Sequence, residues 1–292
     1  MIHTVKEIYE QSIQVVEDFY KKVGAGENPN PSPVFLQADQ LLRAVETSGA
    51  SLLELTRQAY ENNLYRHVVN VTIVSLTLGC ALKLKADKLS VLAKAGLLFD
   101  LGMMKIQGGD MSHIRQHPET SAKILEGLPD IPPDAIQVAL QHHERRDGSG
   151  YPKGLKAEET HPMARIVALA DTFCNLTHVA PGQRILSLNE SMRELLKGKS
   201  LFDDKCLRAL LENVTFYPKG TWVKLSTGDT GKVVAENLGM PLRPIIKIYC
   251  DQDDERIYSE QFVDLKSATG IFINQVLLEE KLKQKGIDLS WS

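Results

Sequence analysis

A mainly α fold carrying a small β module at its C-terminal side is predicted by three features of the sequence. Apolar residues recur at helical spacing through most of the first 213 positions. Clusters of Gly, Pro and Asn interrupt that pattern at short intervals. Near residue 216 the rhythm changes to apolar–polar alternation with Gly-containing turns, the period of half-buried strands. The expected organisation is an N-terminal helical segment over 1–58, a larger helical domain over 59–214, and a β module with its tail over 215–292.

The first helix is expected over 5–22, where Val5, Ile8, Tyr9, Ile13, Val16, Phe19 and Tyr20 share a face. GAGENPNPSP, residues 24–33, reads as a loop, and two short helices follow at 36–46 and 51–60. Asn62 to Ala86 is a long apolar helix. Its run Val68–Leu84 is broken by Asn70, Thr72, Ser75, Thr77 and Gly79, which fits a buried core helix better than a membrane span. Ser90–Gly102, rich in Ala and Leu, comes next. QGGD (107–110) then separates it from a helix over Ser112–Leu125. Pro132 and Pro133 suit the first turn of a helix running to His143. Residues 144–162 form a loop containing Gly148, Gly150, Pro152 and Gly154, and helices resume at 163–178, 187–197 and 203–213. In the β module, Val223/Leu225, Val233/Val234 and Ile245/Ile246/Ile248 mark three strands and YSEQFVDL a fourth. The tail, 270–287, is expected to be helical, and no internal repeat is visible.

Composition narrows the functions. The 292-residue chain has 34 Lys+Arg against 37 Asp+Glu, a net charge of −3. It has no cationic excess with which to neutralise a nucleic-acid backbone, so DNA and RNA are excluded as main partners. A mono- or dinucleotide needs only a few local donors and stays open. Cys80, Cys174, Cys206 and Cys250 are scattered and form no CxxC pair, so they read as reduced and structural. The N-terminal stretch is amphipathic and lacks the apolar core of a signal peptide. No membrane span and a cytoplasmic location are expected.

Six residues of the helical part carry the chemistry: His67, Asp100, His117, His142, His143 and Asp171. Any one of them alone would ordinarily be a satisfied core polar group. Together their types match hard or borderline divalent metals. The absence of thiolates disfavours a structural zinc site. His142 and His143 would point about 100° apart inside a regular helix. At a helix end that breaks into a glycine-bearing loop, both can face one ion.

The stretch HHERRDGSGYPKGL, residues 142–155, resembles the signature of the HD-GYP family almost position for position. ARIVALAD (164–171) resembles the segment ending in that family's metal-binding aspartate. QHP (116–118) and LLFDLG (97–102) resemble its HP and HD motifs, and Tyr65–Leu84 resembles its first ligand helix. The likeness covers about residues 60–200. YPKGTWVKLSTGDTGKVV through PLRPIIKI also resembles a C-terminal extension found on many members.

This resemblance implies an HD-type helical bundle and a metal-dependent phosphodiesterase that opens cyclic di-GMP to pGpG or GMP. It implies iron or manganese, here one or two ions per chain, and a hydroxide that attacks phosphorus between metals. Carried over residue by residue, it makes Asp100 the bridging, catalytic carboxylate. His117, His142 and His143 complete one metal shell, and His67 and Asp171 hold the other. It points to Gly150, Tyr151 and Arg184 for substrate binding. The adjacent loop suggests a diguanylate cyclase partner, and a homodimer is left open.

The sequence also departs from that pattern. The histidine of the HD dyad is Phe99, which has no donor atom. The lysine expected shortly after is Met103, and the acidic residue expected one turn before His67 falls at Asn63. The connection from FDLG to the HP motif is shorter than usual. Beyond Asp171, the expected acidic residue and phosphate-gripping arginine fall at Cys174 and Ala180, with Arg184 nearby as a substitute. Each lost electrostatic contact is worth about 3–4 kcal/mol of transition-state stabilisation. The leading expectation is therefore a degenerate member that binds metal and cyclic di-GMP with weak or absent turnover. An active enzyme with a reduced metal site is the alternative, and a metal-free helical adaptor is the third reading.

Overall fold

The computed structural model describes residues 4–57, 63–106, 111–177, 188–214, 217, 219–237, 240, 242–277 and 282. Contacts divide the chain into two compact units: residues 1–186 with 191–210, and 187–190 with 211–292.

The first unit is helical. Helix α1 (Val5–Gly24) starts with a capping box in which Thr4 and Glu7 exchange side-chain-to-backbone hydrogen bonds. Its buried face carries Tyr9, Ile13, Val16, Phe19, Tyr20 and Val23, as the spacing predicts. The two short helices expected next form one span, α2 (Ser32–Arg57), broken only at Ser48 (φ −148°, ψ 32°). They join without a loop.

Helix α3 (Leu64–Ala81) is shorter than its apolar run suggests. Asn63 caps its start by accepting from Arg66 N at 2.8 Å, and Lys83 (φ 56°) turns the chain away beyond its end. This helix is long and apolar enough to cross a bilayer by composition, yet 61% of it is buried inside the protein. Its polar interruptions are absorbed locally. Thr72 and Thr77 hydroxyls donate to Val68 O and Ile73 O, and Tyr9 donates to Asn70 Oδ1 at 2.8 Å. Helix α4 (Ala86–Leu98) packs closely on α3 where Gly96 meets the Thr72 side chain.

A 3-10 turn (Leu101–Lys105) follows, then α5 (Met111–Ile114) and α6 (His117–Glu126). The single helix expected over Ser112–Leu125 is thus two pieces. Pro118 sits in the first turn of α6, where its missing N–H costs nothing, and a turn at Arg115–Gln116 separates the pieces. Helices α7 (Pro133–Gln141), α8 (Pro162–Thr177), α9 (Leu188–Lys197) and α10 (Asp204–Asn213) follow.

The second unit is a five-stranded antiparallel sheet ordered β4-β3-β2-β1-β5. Its strands are β1 (Trp222–Leu225), β2 (Thr230–Ala235), β3 (Ile245–Cys250), β4 (Arg256–Asp264) and β5 (Ile273–Leu277). The fifth corrects the expectation of a helical tail. Residues 273–277 pair with β1, with Val223 opposite Val276, and so give β1 a second ladder partner. Backbone pairing overrides a local pattern too short to specify either state. Beyond β5 the described residue is Leu282, helical in its backbone and buried with Trp222, Tyr249 and Cys250 in a small core.

Candidate metal centre

Four of the predicted residues converge at three chain breaks. His142 caps the C-terminal end of α7, and His143 follows in the turn. His117 opens α6. Asp100 lies between the end of α4 and the 3-10 turn, with φ −106° and ψ 15°. The contact that aligns the last two is at Gly102. Its N–H donates to Ser121 Oγ at 2.8 Å, and a Cβ there would collide with the backbone of His117 and Ser121. The turn bearing Asp100 is thereby held against the first turn of α6.

The Nε2 atoms of His142 and His143 lie 3.0 and 3.1 Å from His117 Nε2. Asp100 Oδ1 stands 3.1 Å from His117 Nε2 and 3.8 Å from His142 Nε2. His117 Nδ1 is 2.6 Å from Ile114 O, and His142 Nδ1 is 2.8 Å from Ala139 O. A carbonyl can only accept, so each of these rings carries its proton on Nδ1 when neutral and aims an Nε2 lone pair inward. Asp100 Oδ1 is buried without a hydrogen-bond partner. Lone pairs facing one another in a dry site require a cation or a proton between them. His117, His142 and His143 meet the geometric requirement for holding one metal ion, and the orphaned carboxylate oxygen of Asp100 stands beside two of them. Three imidazoles and a carboxylate suit iron, manganese or zinc.

A second cluster lies beside this one. His67 Nε2 is 2.9 Å from Asp171 Oδ1, which also accepts from Asn175 Nδ2 at 2.9 Å. Asn175, one turn beyond Asp171 on α8, is a polar contact the sequence reading did not identify; its i+4 spacing was the available signal. Phe99 is fully buried, with its ring 4.8 Å from His142 and 6.4 Å from His67. An apolar ring therefore occupies the place from which a ligand would join the two clusters.

Charge is divided unequally among the histidines. Burial, aided by the neighbouring His143, holds His142 well below its ordinary range, and burial takes His143 down to about 3. Burial works against protonation of His67 and His117 too. There the close carboxylates of Asp171 and Asp100 respectively win, and both are raised. Burial opposes ionisation of Asp171, but the His67 contact outweighs it and holds the carboxyl low.

The loop after His143 is built against the site. Glu144 is buried and accepts from the N–H groups of Lys153 (2.8 Å) and Leu155 (2.9 Å), so it folds the loop. Asp147 accepts from Ser149, while Arg146 and Arg165 pair with Asp204 and Asp203. Gly150 packs where a Cβ would strike His143 O and Arg145 N. Tyr151 N–H donates to His143 O at 3.2 Å, and its ring stacks on His143 at 4.6 Å.

The other positions that depart from the family pattern, and the other histidines, lie apart from the cluster or outside the described residues. Asn63 is occupied as a helix cap. Met103 is half-buried on the 3-10 turn, and Lys105 Nζ donates to Gly24 O. His113 is exposed, and His161 lies 3.5 Å from Asp134. Burial raises the Cys174 thiol. His178, Ala180 and Arg184 lie outside the described residues.

Residues 50–206 match the HD domain family, and 222–285 match a KOW domain associated with the HD domain. A cyclic di-GMP phosphodiesterase of Pseudomonas aeruginosa is 28% identical over 242 residues, covering 79% of this chain and 58% of that protein. The cyclic di-GMP phosphodiesterase response regulator RpfG of Xanthomonas campestris is 33% identical over 144 residues, 44% of this chain and 38% of its own. The match thus spans less than two thirds of the length of these relatives. The solved structure of an HDG"Y"P protein from Bdellovibrio bacteriovorus shares the fold, with a TM-score of 0.58 at 19% identity over 70% of each chain.

Proposed function

Because the chain belongs to the HD domain family, we propose that it is a metal-binding member of cyclic di-GMP signalling whose phosphodiesterase activity is weak or absent. The observation that carries this reading is the contrast between Phe99 and its surroundings. Asp100, His117, His142 and His143 present converging donors, while the neighbouring position holds a buried ring with no donor atom. In this reading the three histidines and Asp100 hold iron or manganese. A bound divalent ion supplies Lewis-acid stabilisation of phosphoryl oxygens.

The residues of the chain do the rest. His142 and His143 stay neutral at physiological pH and so remain available as donors. Asp171 stays ionised and keeps His67 oriented. Tyr151, stacked on His143, ties the loop to the candidate metal ligands at the mouth of the site. Glu144 keeps the loop folded, which gives a protein partner such as a diguanylate cyclase a fixed surface at residues 147–156.

The test is metal content of the purified protein together with cyclic di-GMP turnover in added Mn(II) or Fe(II). About one ion per chain, nucleotide binding and no turnover support the reading. Robust turnover sinks it in favour of an active phosphodiesterase with a reduced site. The retained His67–Asp171 pair, able to supply donors for a second ion, is the observation that favours that alternative.

A further inference from the structure

We propose that Arg115 is the residue that takes the phosphate of the nucleotide, reaching the site from the turn between α5 and α6. The inference rests on the cyclic-dinucleotide reading above. It starts from geometry: two carboxylates, Asp100 and Asp171, sit among the converging imidazoles, so a phosphodiester entering beside them is held best by a cationic side chain at the rim of the site.

Two guanidinium groups lie close to the histidines, and their environments differ. Arg145 is committed to the fold. It donates to His142 O, Glu144 O and Thr172 Oγ1 and packs over the Phe202 ring. Arg115 is exposed and lies over the Tyr151 ring at 5.1 Å, and no ion pair or hydrogen bond of its side chain occurs among the described residues. Tyr151 in turn stacks on His143 at 4.6 Å. The series Arg115–Tyr151–His143 therefore runs from solvent to the candidate metal ligands. The aromatic contact orients the guanidinium while leaving its N–H donors free. Those donors match the paired oxygens of a phosphodiester in a way a point charge does not. Arg115 is two residues before His117, so the break in the expected α5–α6 helix aims both residues at one site. Within a continuous helix, positions two apart would face different directions.

Binding of cyclic di-GMP to the metal-loaded full chain, measured by calorimetry, tests the assignment with Arg115→Met and Arg115→Lys. Expected are at least tenfold weaker binding for R115M, partial recovery in R115K, and unchanged metal content and melting temperature. Added salt should weaken binding of the wild type more than that of R115M, a signature that loss of a merely structural side chain would not give. Wild-type-like affinity in R115M overturns the role of Arg115 and leaves the cyclic-dinucleotide reading standing. Loss of metal from R115M also overturns it, because the residue then serves the fold. If the wild type itself does not bind the nucleotide, the broader reading fails and this one falls with it.

Discussion

The Nε2 atoms of His117 and His142 stand 3.0 Å apart, and each ring's Nδ1 is within 2.8 Å of a carbonyl oxygen three residues back in its own chain. Two acceptors at that distance repel unless something positive lies between them. The first expected outcome follows. A chelator should lower the melting temperature of the helical unit, and His142→Ala should abolish the difference between metal-loaded and stripped protein. At a metal concentration a hundred times Kd the stabilisation is about 2.7 kcal/mol, roughly 5–10 °C for a domain of this size. Calorimetry with and without chelator checks it, and equal melting of both forms would remove the metal from the argument.

The metal-stripped protein should be most stable near pH 6.5. His142 and His143 have lowered folded pKa values, so the unfolded chain binds more protons below about 6.5, and stability falls as pH drops toward 3. His67 and His117 have raised values. Their contribution is complete below about 6.5 and is lost as pH rises through the folded values. Asp171, held low, adds its contribution above its ordinary carboxylate range and loses it on acidification below that range. Added metal competes with protons for the lone pairs of His117, His142 and His143, so it should remove the His117 part of the alkaline decline and leave the part that the His67–Asp171 pair contributes. A melting-temperature profile over pH 4–9, with and without Mn(II), reads both effects.

How much of this was legible beforehand differs by residue. His142 and His143 could be placed from adjacency alone, because two neighbours can share an ion only where a helix ends, and α7 ends at His142. The burial pattern of α1 followed directly from its spacing. Glu144 could not be read. A lone acidic residue in a charged loop gives no sign that it accepts from two backbone N–H groups nine and eleven residues away. Strand β5 was also hidden, since five residues carry too little periodicity to choose a state without the β1 edge they pair with. Phe99 was conspicuous as a missing donor, but its position between His67 and His142 is a property of packing.

Glu144→Ala should open the loop. The buried carboxylate accepts from Lys153 N and Leu155 N, and each such charged hydrogen bond contributes about 1.5–3 kcal/mol. Expected are a destabilisation of about 2–4 kcal/mol and faster tryptic cleavage at Lys153 in the native state. Denaturant titration and limited proteolysis report the two separately. An unchanged cleavage rate would mean that other contacts suffice to hold residues 150–155.

Gly102→Ala should damage the site without touching a donor. The added methyl would strike the backbone of His117 and Ser121, which cannot move as a flexible side chain can. Overpacking of this kind costs about 1–3 kcal/mol. The strain falls on the contact that sets Asp100 against His117, so metal affinity should drop together with stability. Ser121→Ala removes the Gly102 N–H acceptor but leaves the space, so it should cost less, about 1 kcal/mol. Equal metal affinity in G102A and wild type would detach Asp100 from the site.

Phe99→His is the most direct trial of whether catalysis was lost through one position. The side chain is fully buried, so replacing it with a polar ring should destabilise the metal-stripped protein by about 1–3 kcal/mol through an unsatisfied nitrogen. The new imidazole would stand between His142 and His67, where Asp171 and Asp100 also contribute donors. Metal content should therefore rise by about one ion per chain, recovering the lost stability on loading. Cyclic di-GMP turnover should then appear or rise by about a hundredfold, the scale of one restored electrostatic contact. Gain of the ion without turnover would assign the remaining deficit to the substrate contacts missing at Met103 and Ala180. Failure to gain the ion would show that the His67–Asp171 pair is closed on itself as a buried ion pair, its oxygen already shared with Asn175, and no longer competes for metal.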